Sequence, residues 1–481
     1  MTAITTAKTT AKTTNVENDI ALWSTSRQAL AIRTKEITSR QLLERFIARI
    51  EKLNGHLNAV ITQDFEAALV AADKADAALS RGEILGPLHG VPITIKDALQ
   101  VAGMRSTGGA TELYNNIPSK DADVVRLVRK AGAIVFGKTN LPRWSGDIQA
   151  YNQMFGTTVN PWNAEKVPGG SSGGAAAAVA TGLTSFEIGT DIGGSIRIPS
   201  SFCGVYGHKP SFGIVPSKGY LDHASGGNDE ADINVHGPIA RSAEDLELLL
   251  GIMLRTDSAL VAQLSPAKEL GSLRVAAWLD DVFCPVDSEV LAVMNNAVAL
   301  LSAAGISVDR TARPDIDPRE ASYLGMSLVS AAMLQNVDEI SADTDGAVSA
   351  QMSHRQWLDA NTRREEIRLK WAQFFDDYDV VLMPVSFVPP FEHNHEGDFG
   401  NRTLLCNGQV RPYTDLIRWT TLTGMAYLPA SVPPLGLSAS GLPIGVQVVG
   451  PYGGDLTTIR LAGMMGELCG GFKAPLIAVL P

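Results

Sequence analysis

Short β-branched runs take turns with segments of helical periodicity along nearly the whole of this 481-residue chain. The first long helix is expected to start after Thr38. Thr38 and Gln41 fit a capping box, and Ile37 and Leu42 stand where a hydrophobic staple belongs. Leu42, Leu43, Phe46, Ile47, Ile50 and Leu53 then recur at helical spacing. Further helices are expected over Asp64–Leu79, Asp121–Ala131, Ala175–Ala180 and Ser288–Ala303, with another opened by Ser242 and Asp245. Strands are expected at Val91–Ile95, Ala133–Phe136, Ser185–Gly189, Val275–Trp278, Ile306–Val308, Val380–Met383 and Ile444–Val449. This alternation predicts an α/β sheet with helical layers.

No linker splits the chain. Residues 1–18 open with a Thr/Ala/Lys stretch in which TTAK repeats, and are expected to be a disordered tail. Residues 19–477 are expected to form one domain, with its core over about 60–310 and a C-terminal core part over about 375–470. Between them, about 319–370 is helical and polar, and is expected to form a cap or lid.

Composition removes several functions. The 51 acidic residues outnumber the 40 basic ones, for a net charge of −11, which argues against a nucleic-acid backbone binder. Cys203, Cys284, Cys406 and Cys469 show no CxxC spacing, so neither a zinc site nor a disulfide framework is indicated and a reduced, cytoplasmic setting is expected. No run of 18 apolar residues and no apolar leader is present, so neither a membrane partner nor a secretory signal is expected.

Three motif matches fail in context. Gly132 to Thr139 spells GxxxxGK[ST], but its variable positions are themselves a strand and Asn140-Leu141-Pro142 follows where a helix should open. Gly169 to Gly173 spells GxSxG, but no apolar strand precedes it, as a nucleophile elbow requires. His393 and His395 with Asp398 could bind a metal, yet two His at i, i+2 in a Pro/Gly-rich loop are more often simply exposed. No metal and no cofactor are expected.

The strongest signal is an ordered set. Gly90-Val91-Pro92-Ile93-Thr94-Ile95-Lys96-Asp97 is followed by Gly169-Gly170-Ser171-Ser172-Gly173-Gly174. That is followed in turn by Gly189-Thr190-Asp191-Ile192-Gly193-Gly194-Ser195-Ile196-Arg197-Ile198-Pro199. Taken singly, Lys96 could be a surface cation, Ser171 and Ser172 turn residues, and Ser195 a helix cap.

Together, and with Gly156 to Trp162, Gly237 to Ser242 and Gly441 to Gln447 around them, they resemble the amidase signature family. The resemblance covers nearly all the chain after about residue 19. It implies a single large domain with a central mixed twisted sheet and helices on both faces. It also implies an amide hydrolase in which Ser195 is the nucleophile and Lys96 the general base. Ser171 would relay the proton, after a cis Gly170–Ser171 peptide. The N–H groups of Ile192, Gly193, Gly194 and Ser195 would form the oxyanion hole. Ser172, Asp191 and Arg197 would hold the loop and the nucleophile turn, and Cys203 would be a small buried residue.

These residue types suit the chemistry. Amide cleavage needs a nucleophile, a base that becomes an acid, and an oxyanion hole. A lysine can act as a base near neutral pH only if burial lowers its pKa, and the apolar run before Lys96 fits burial.

The substrate is expected to be a small aryl, alkyl or fatty acyl amide, an ester or a carbamate, which presents the same carbonyl to Ser195. Three segments are expected to line its pocket: Trp144–Phe155, Met326–Leu334 and Trp419–Met425, with core packing the alternative for each. The alternative function is a glutaminase-type component of a tRNA-dependent amidotransferase. Such components carry a Tyr-Tyr-type motif, whereas Ala321 to Met326 holds only Tyr323. A monomer or homodimer is expected.

Overall fold

The structure is a computed structural model that describes residues 19–223, 226–256, 259–333 and 352–479. The expected tail at 1–18 lies outside the described residues.

The capping signal at Thr38 is realised. Thr38 accepts the Gln41 N–H at 3.0 Å and Gln41 Oε1 accepts the Thr38 N–H at 2.9 Å, opening the helix Ser39–Leu57. Its Leu42, Leu43, Phe46 and Ile50 are buried in a core shared with the helix Phe65–Ser80 and three strands. Those strands form a small sheet of their own, in the order Val60–Gln63, Ile134–Thr139, Pro92–Lys96. The last two are parallel and the first pair antiparallel. Alternation along the sequence predicts one sheet; Val91–Ile95 instead joins this second one.

Among the described residues the large sheet has nine strands. From one edge the order is Val308–Asp309, Val275–Ala277, Val380–Pro384, Pro443–Val449, Ala430–Val432, Tyr206–Lys209, Val235–Ala240 and Glu187–Asp191, with Pro434–Leu437 paired to Pro443–Val449 off this path. The first three are mutually parallel and the rest antiparallel, so the sheet is mixed. Helices cover both faces. Gln447 points to the helix Arg197–Cys203, accepting from Arg197 at 3.0 Å. Ser431, opposite Val448, meets Thr458 of the helix Asp455–Leu468 at 3.0 Å on the other face. Successive residues of a strand face opposite ways, so the two helices lie on opposite sides.

The two sheets meet edge to edge where Pro92–Lys96 lies against Glu187–Asp191. Side chains close this seam. Thr94 Oγ1 donates to Glu187 Oε1 at 2.5 Å, and the Thr94 N–H donates to Thr184 Oγ1 at 2.9 Å. Among the described residues, the polar stretch expected over 319–370 holds the helices Pro318–Met333 and His354–Asp377; residues 334–351 lie outside the described residues. Among the described residues no helix is long and apolar enough to cross a membrane.

Candidate active site

Lys96 ends a strand whose five residues are all buried, and is itself fully buried at the seam. Its Nζ donates to Ser171 Oγ at 2.6 Å and to Thr190 Oγ1 at 2.8 Å. Burial brings its pKa down to about 7, against the opposing pull of the Asp191 and Glu187 carboxylates. An amine that is about half neutral near pH 7, in contact with a hydroxyl, can take a proton from it. Glu187 itself is pushed up to about 7 by burial, with the Thr94 hydroxyl working the other way.

Ser171 follows a cis Gly170–Ser171 peptide in the loop that runs into the helix Gly173–Ala180. Ser172 ties this loop to the turn that holds Ser195: its N–H donates to Ser195 O at 3.2 Å, and its hydroxyl reaches Thr190 O at 3.4 Å.

The strand Glu187–Asp191, the turn 192–196 and the helix Arg197–Cys203 form one strand–turn–helix unit, and Ser195 sits 5 % exposed in the turn. Asp191 organises it. Its Oδ1 accepts from the Gly194 N–H (2.9 Å) and Arg197 Nη2 (2.8 Å); its Oδ2 accepts from the Ile196 N–H (3.1 Å) and Arg197 Nε (3.0 Å). Arg197 Nη1 reaches on to Thr420 O, Thr423 Oγ1 and Gln447 Oε1 at 2.9–3.0 Å. Burial alone would raise the Asp191 pKa, but Arg197 outweighs it and holds the carboxyl below its ordinary value. Both residues are fully buried, so the pair fixes the turn from inside the protein. Gly194 takes φ +123°, a conformation that L side chains rarely adopt, and a Cβ there would stand 2.9 Å from Ile198 and Thr420.

This arrangement narrows the expected set of four backbone donors. The Gly194 N–H is spent on Asp191, whereas among the described residues the N–H groups of Ile192, Gly193 and Ser195 have no protein partner. Three unpaired donors next to a serine can hold a developing oxyanion. Thr420 supports them from behind, donating to Gly193 O at 2.6 Å.

Other motif residues have structural roles. Lys138, of the GxxxxGK[ST] match, is a buried strand residue that pairs with Asp97 at 3.4 Å and donates to Leu99 O. Cys203 is buried with its thiol pKa pushed up by desolvation, and lies 3.4 Å from Pro168 O. His395 stacks on Tyr151 with ring centroids 3.8 Å apart, and no group of three or more His, Cys, Asp or Glu that could hold a metal occurs among the described residues.

The three segments expected to line the pocket divide. Part of Trp144–Phe155 packs on the Ser171 loop, and Met333 comes within 3.8 Å of where a Gly146 Cβ would stand. In Trp419–Met425, Trp419 is core, stacked edge-on against Phe283 and Trp278. Ile417, just before it, is the side chain that faces Gly193, at 3.7 Å from a Cβ built there. Two participants have no signal in the sequence. Thr190 carries no local signature as a strand threonine, and Thr420 lies more than 200 residues from the turn it braces.

The family model described as Amidase matches residues 41–459. The chain is 33 % identical over 470 residues to a glutamyl-tRNA(Gln) amidotransferase component of Moorella thermoacetica, covering 89 % of this chain and 93 % of that protein. It is likewise 33 % identical over 455 residues to the indoleacetamide hydrolase of Bradyrhizobium diazoefficiens, covering 90 % and 84 %. Among solved structures, a bacterial aryl acylamidase of the amidase signature family superimposes with a TM-score of 0.81 at 25 % identity, covering 95 % of this chain and 99 % of that one.

Proposed function

Because the chain belongs to the amidase signature family and is an amide hydrolase, we propose that it cleaves small, uncharged aryl or alkyl amides through an acyl-enzyme on Ser195. The observation that carries this reading is the 2.6 Å contact between a buried Lys96, brought down to about 7, and Ser171 beside the nucleophile turn.

In the proposed mechanism neutral Lys96 takes the Ser171 proton while Ser171 takes the Ser195 proton. Ser195 Oγ attacks the carbonyl carbon, and the negative charge gathers on the carbonyl oxygen, facing the N–H groups of Ile192, Gly193 and Ser195. Collapse breaks the C–N bond as Ser171 passes its proton to the leaving amine and regains one from the Lys96 ammonium. Water then attacks the acyl-enzyme by the same relay in reverse. Ser172, Asp191 and Arg197 hold the parts in register.

Support for an uncharged substrate comes from Ile417, an apolar side chain packed beside Gly193. Esters and carbamates offer the same carbonyl and belong to the same proposal.

The identity with glutamyl-tRNA(Gln) amidotransferase components supports a second reading, a glutaminase that works with partner chains. One assay at pH 8 separates the two: amine release from anilides, alkyl amides, carbamates and glutamine, with Ser195→Ala in parallel. Anilide, amide or carbamate turnover that vanishes in Ser195→Ala supports the first reading. Turnover of glutamine alone supports the second, and turnover that survives in Ser195→Ala refutes the nucleophile assignment.

A further inference from the structure

The segment 147–151 is pressed between two loops. On one side it touches the Ser171 loop. A Cβ built on Gly170 would stand 2.6 Å from Gln149 N and Ile148 C, and one built on Gly173 would stand 2.7 Å from Ala150 Cβ. Only glycine allows the backbones to come this close. The alternate side chains Asp147, Gln149 and Tyr151 all bond to the other side, the loop 393–402, or to Tyr413.

Asp147 is the hub. Its Oδ2 accepts from Arg402 Nη1 at 2.6 Å and from the Tyr151 hydroxyl at 3.1 Å; its Oδ1 accepts from the Tyr413 hydroxyl at 2.8 Å and from the Ile148 N–H at 2.7 Å. Arg402 also donates to Glu396 O and Gly397 O. Gln149 grips Asn394 twice, Nε2 donating to Asn394 O at 2.6 Å and Oε1 accepting its N–H at 3.0 Å. The ion pair is nearly buried, with side-chain exposures of 5 % and 7 %. A buried pair with all its partners in place fixes geometry where an apolar contact would slide.

We propose that Asp147 is a positioning residue for Ser171. With Arg402, Tyr413 and the Gln149–Asn394 grip, it holds the 147–151 backbone against the Gly170–Gly173 loop and so sets the Ser171 hydroxyl relative to Lys96. The inference rests on Ser171 being the proton relay proposed above.

That role has a signature that loss of fold lacks. A leaving amine must receive a proton as the C–N bond breaks, whereas a nitrophenolate leaves without one. Displacing Ser171 therefore slows an anilide more than the nitrophenyl ester of the same acyl group. The comparison is made on kcat/KM, which covers steps only through acylation.

Tyr413→Phe removes only the hydroxyl that donates to Asp147 and keeps the buried ring. It is expected to lower anilide kcat/KM about tenfold and ester kcat/KM by less than about threefold. Asp147→Asn is expected to widen the gap, and Arg402→Lys to recover part of the anilide turnover lost in Arg402→Ala. Equal losses on both substrates, or no loss on either, in the folded Tyr413→Phe protein overturn the proposal. Ser195→Ala, run beside them, tells the two failures apart. Turnover surviving there sinks the mechanism itself, whereas its loss there together with parallel effects in Tyr413→Phe sinks only the positioning role.

Discussion

At the scale of single residues, Lys96 can serve as the proposed base only because the fold keeps water from it. Its neutral fraction rises as pH passes upward through about 7, so amide kcat/KM is expected to climb along a limb centred there. Lys96→Met should abolish both the limb and most of the turnover, read from a pH–rate profile between about 5.5 and about 9. Thr190 accepts from the same Nζ, and an ammonium needs acceptors more than an amine does. Thr190→Val should therefore disfavour the charged form and move the limb to lower pH. That Lys96 and Ser171 meet is foreseen only through the family resemblance of the ordered Lys, Ser and Gly-rich pieces, since each residue taken singly has an ordinary alternative. Thr190 is not legible in the sequence, because a threonine in a strand is ordinary until the opposite sheet brings a lysine to it. Nor can the sequence tell that the Gly194 N–H is taken, since that depends on where the Asp191 carboxylate points.

At the scale of elements, the turn 192–196 is held by the buried Asp191–Arg197 pair rather than by turn propensity. Asp191→Asn leaves the buried Arg197 without its counter-charge, a change that costs about 3–5 kcal/mol. The melting temperature should fall markedly and kcat with it, measured by calorimetry and by anilide turnover. Far from the site, Thr38→Ala should cost only about 1 kcal/mol by removing a helix cap, and leave kcat unchanged. The helices Ser39–Leu57 and Ser288–Ala303 are readable because their apolar residues repeat over four turns or more. The helix Arg197–Cys203 is hidden by its seven-residue length and by Pro199. The strand Val235–Ala240 is hidden by Gly237 and Pro238, residues that usually argue against a strand, although it runs between Tyr206–Lys209 and Glu187–Asp191.

For the whole molecule, buried ionisable groups set how stability depends on pH. Lys96 and Lys209 are each brought down to about 7 by burial, from an ordinary 10.5. The unfolded chain therefore binds more protons between those values, and stability rises with pH from about 7 to 10.5. Glu187, raised from 4.5 to about 7, acts in the opposite sense: the folded chain keeps a proton that the unfolded chain has lost, so its contribution falls as pH rises across that range. The melting temperature is expected to be higher at pH 9 than at pH 7, and Lys209→Met, which leaves Lys96, Ser171 and Ser195 in place, should shrink the difference. The α/β class is legible from alternation, but the division into two sheets is not. Nothing local to Val91–Ile95 says that its partner is Ile134–Thr139 rather than Glu187–Asp191. That division has a practical consequence. Among the described residues no strand pairing joins the two sheets, so Lys96 and the turn that holds Ser195 stand on opposite banks, and at the seam Thr94 and Lys96 reach the strand Glu187–Asp191 through side chains. Such a bridge can part while every strand and helix survives. The chain is expected to fall silent on heating before it melts, with amide turnover lost at temperatures where circular dichroism still reports full helix content.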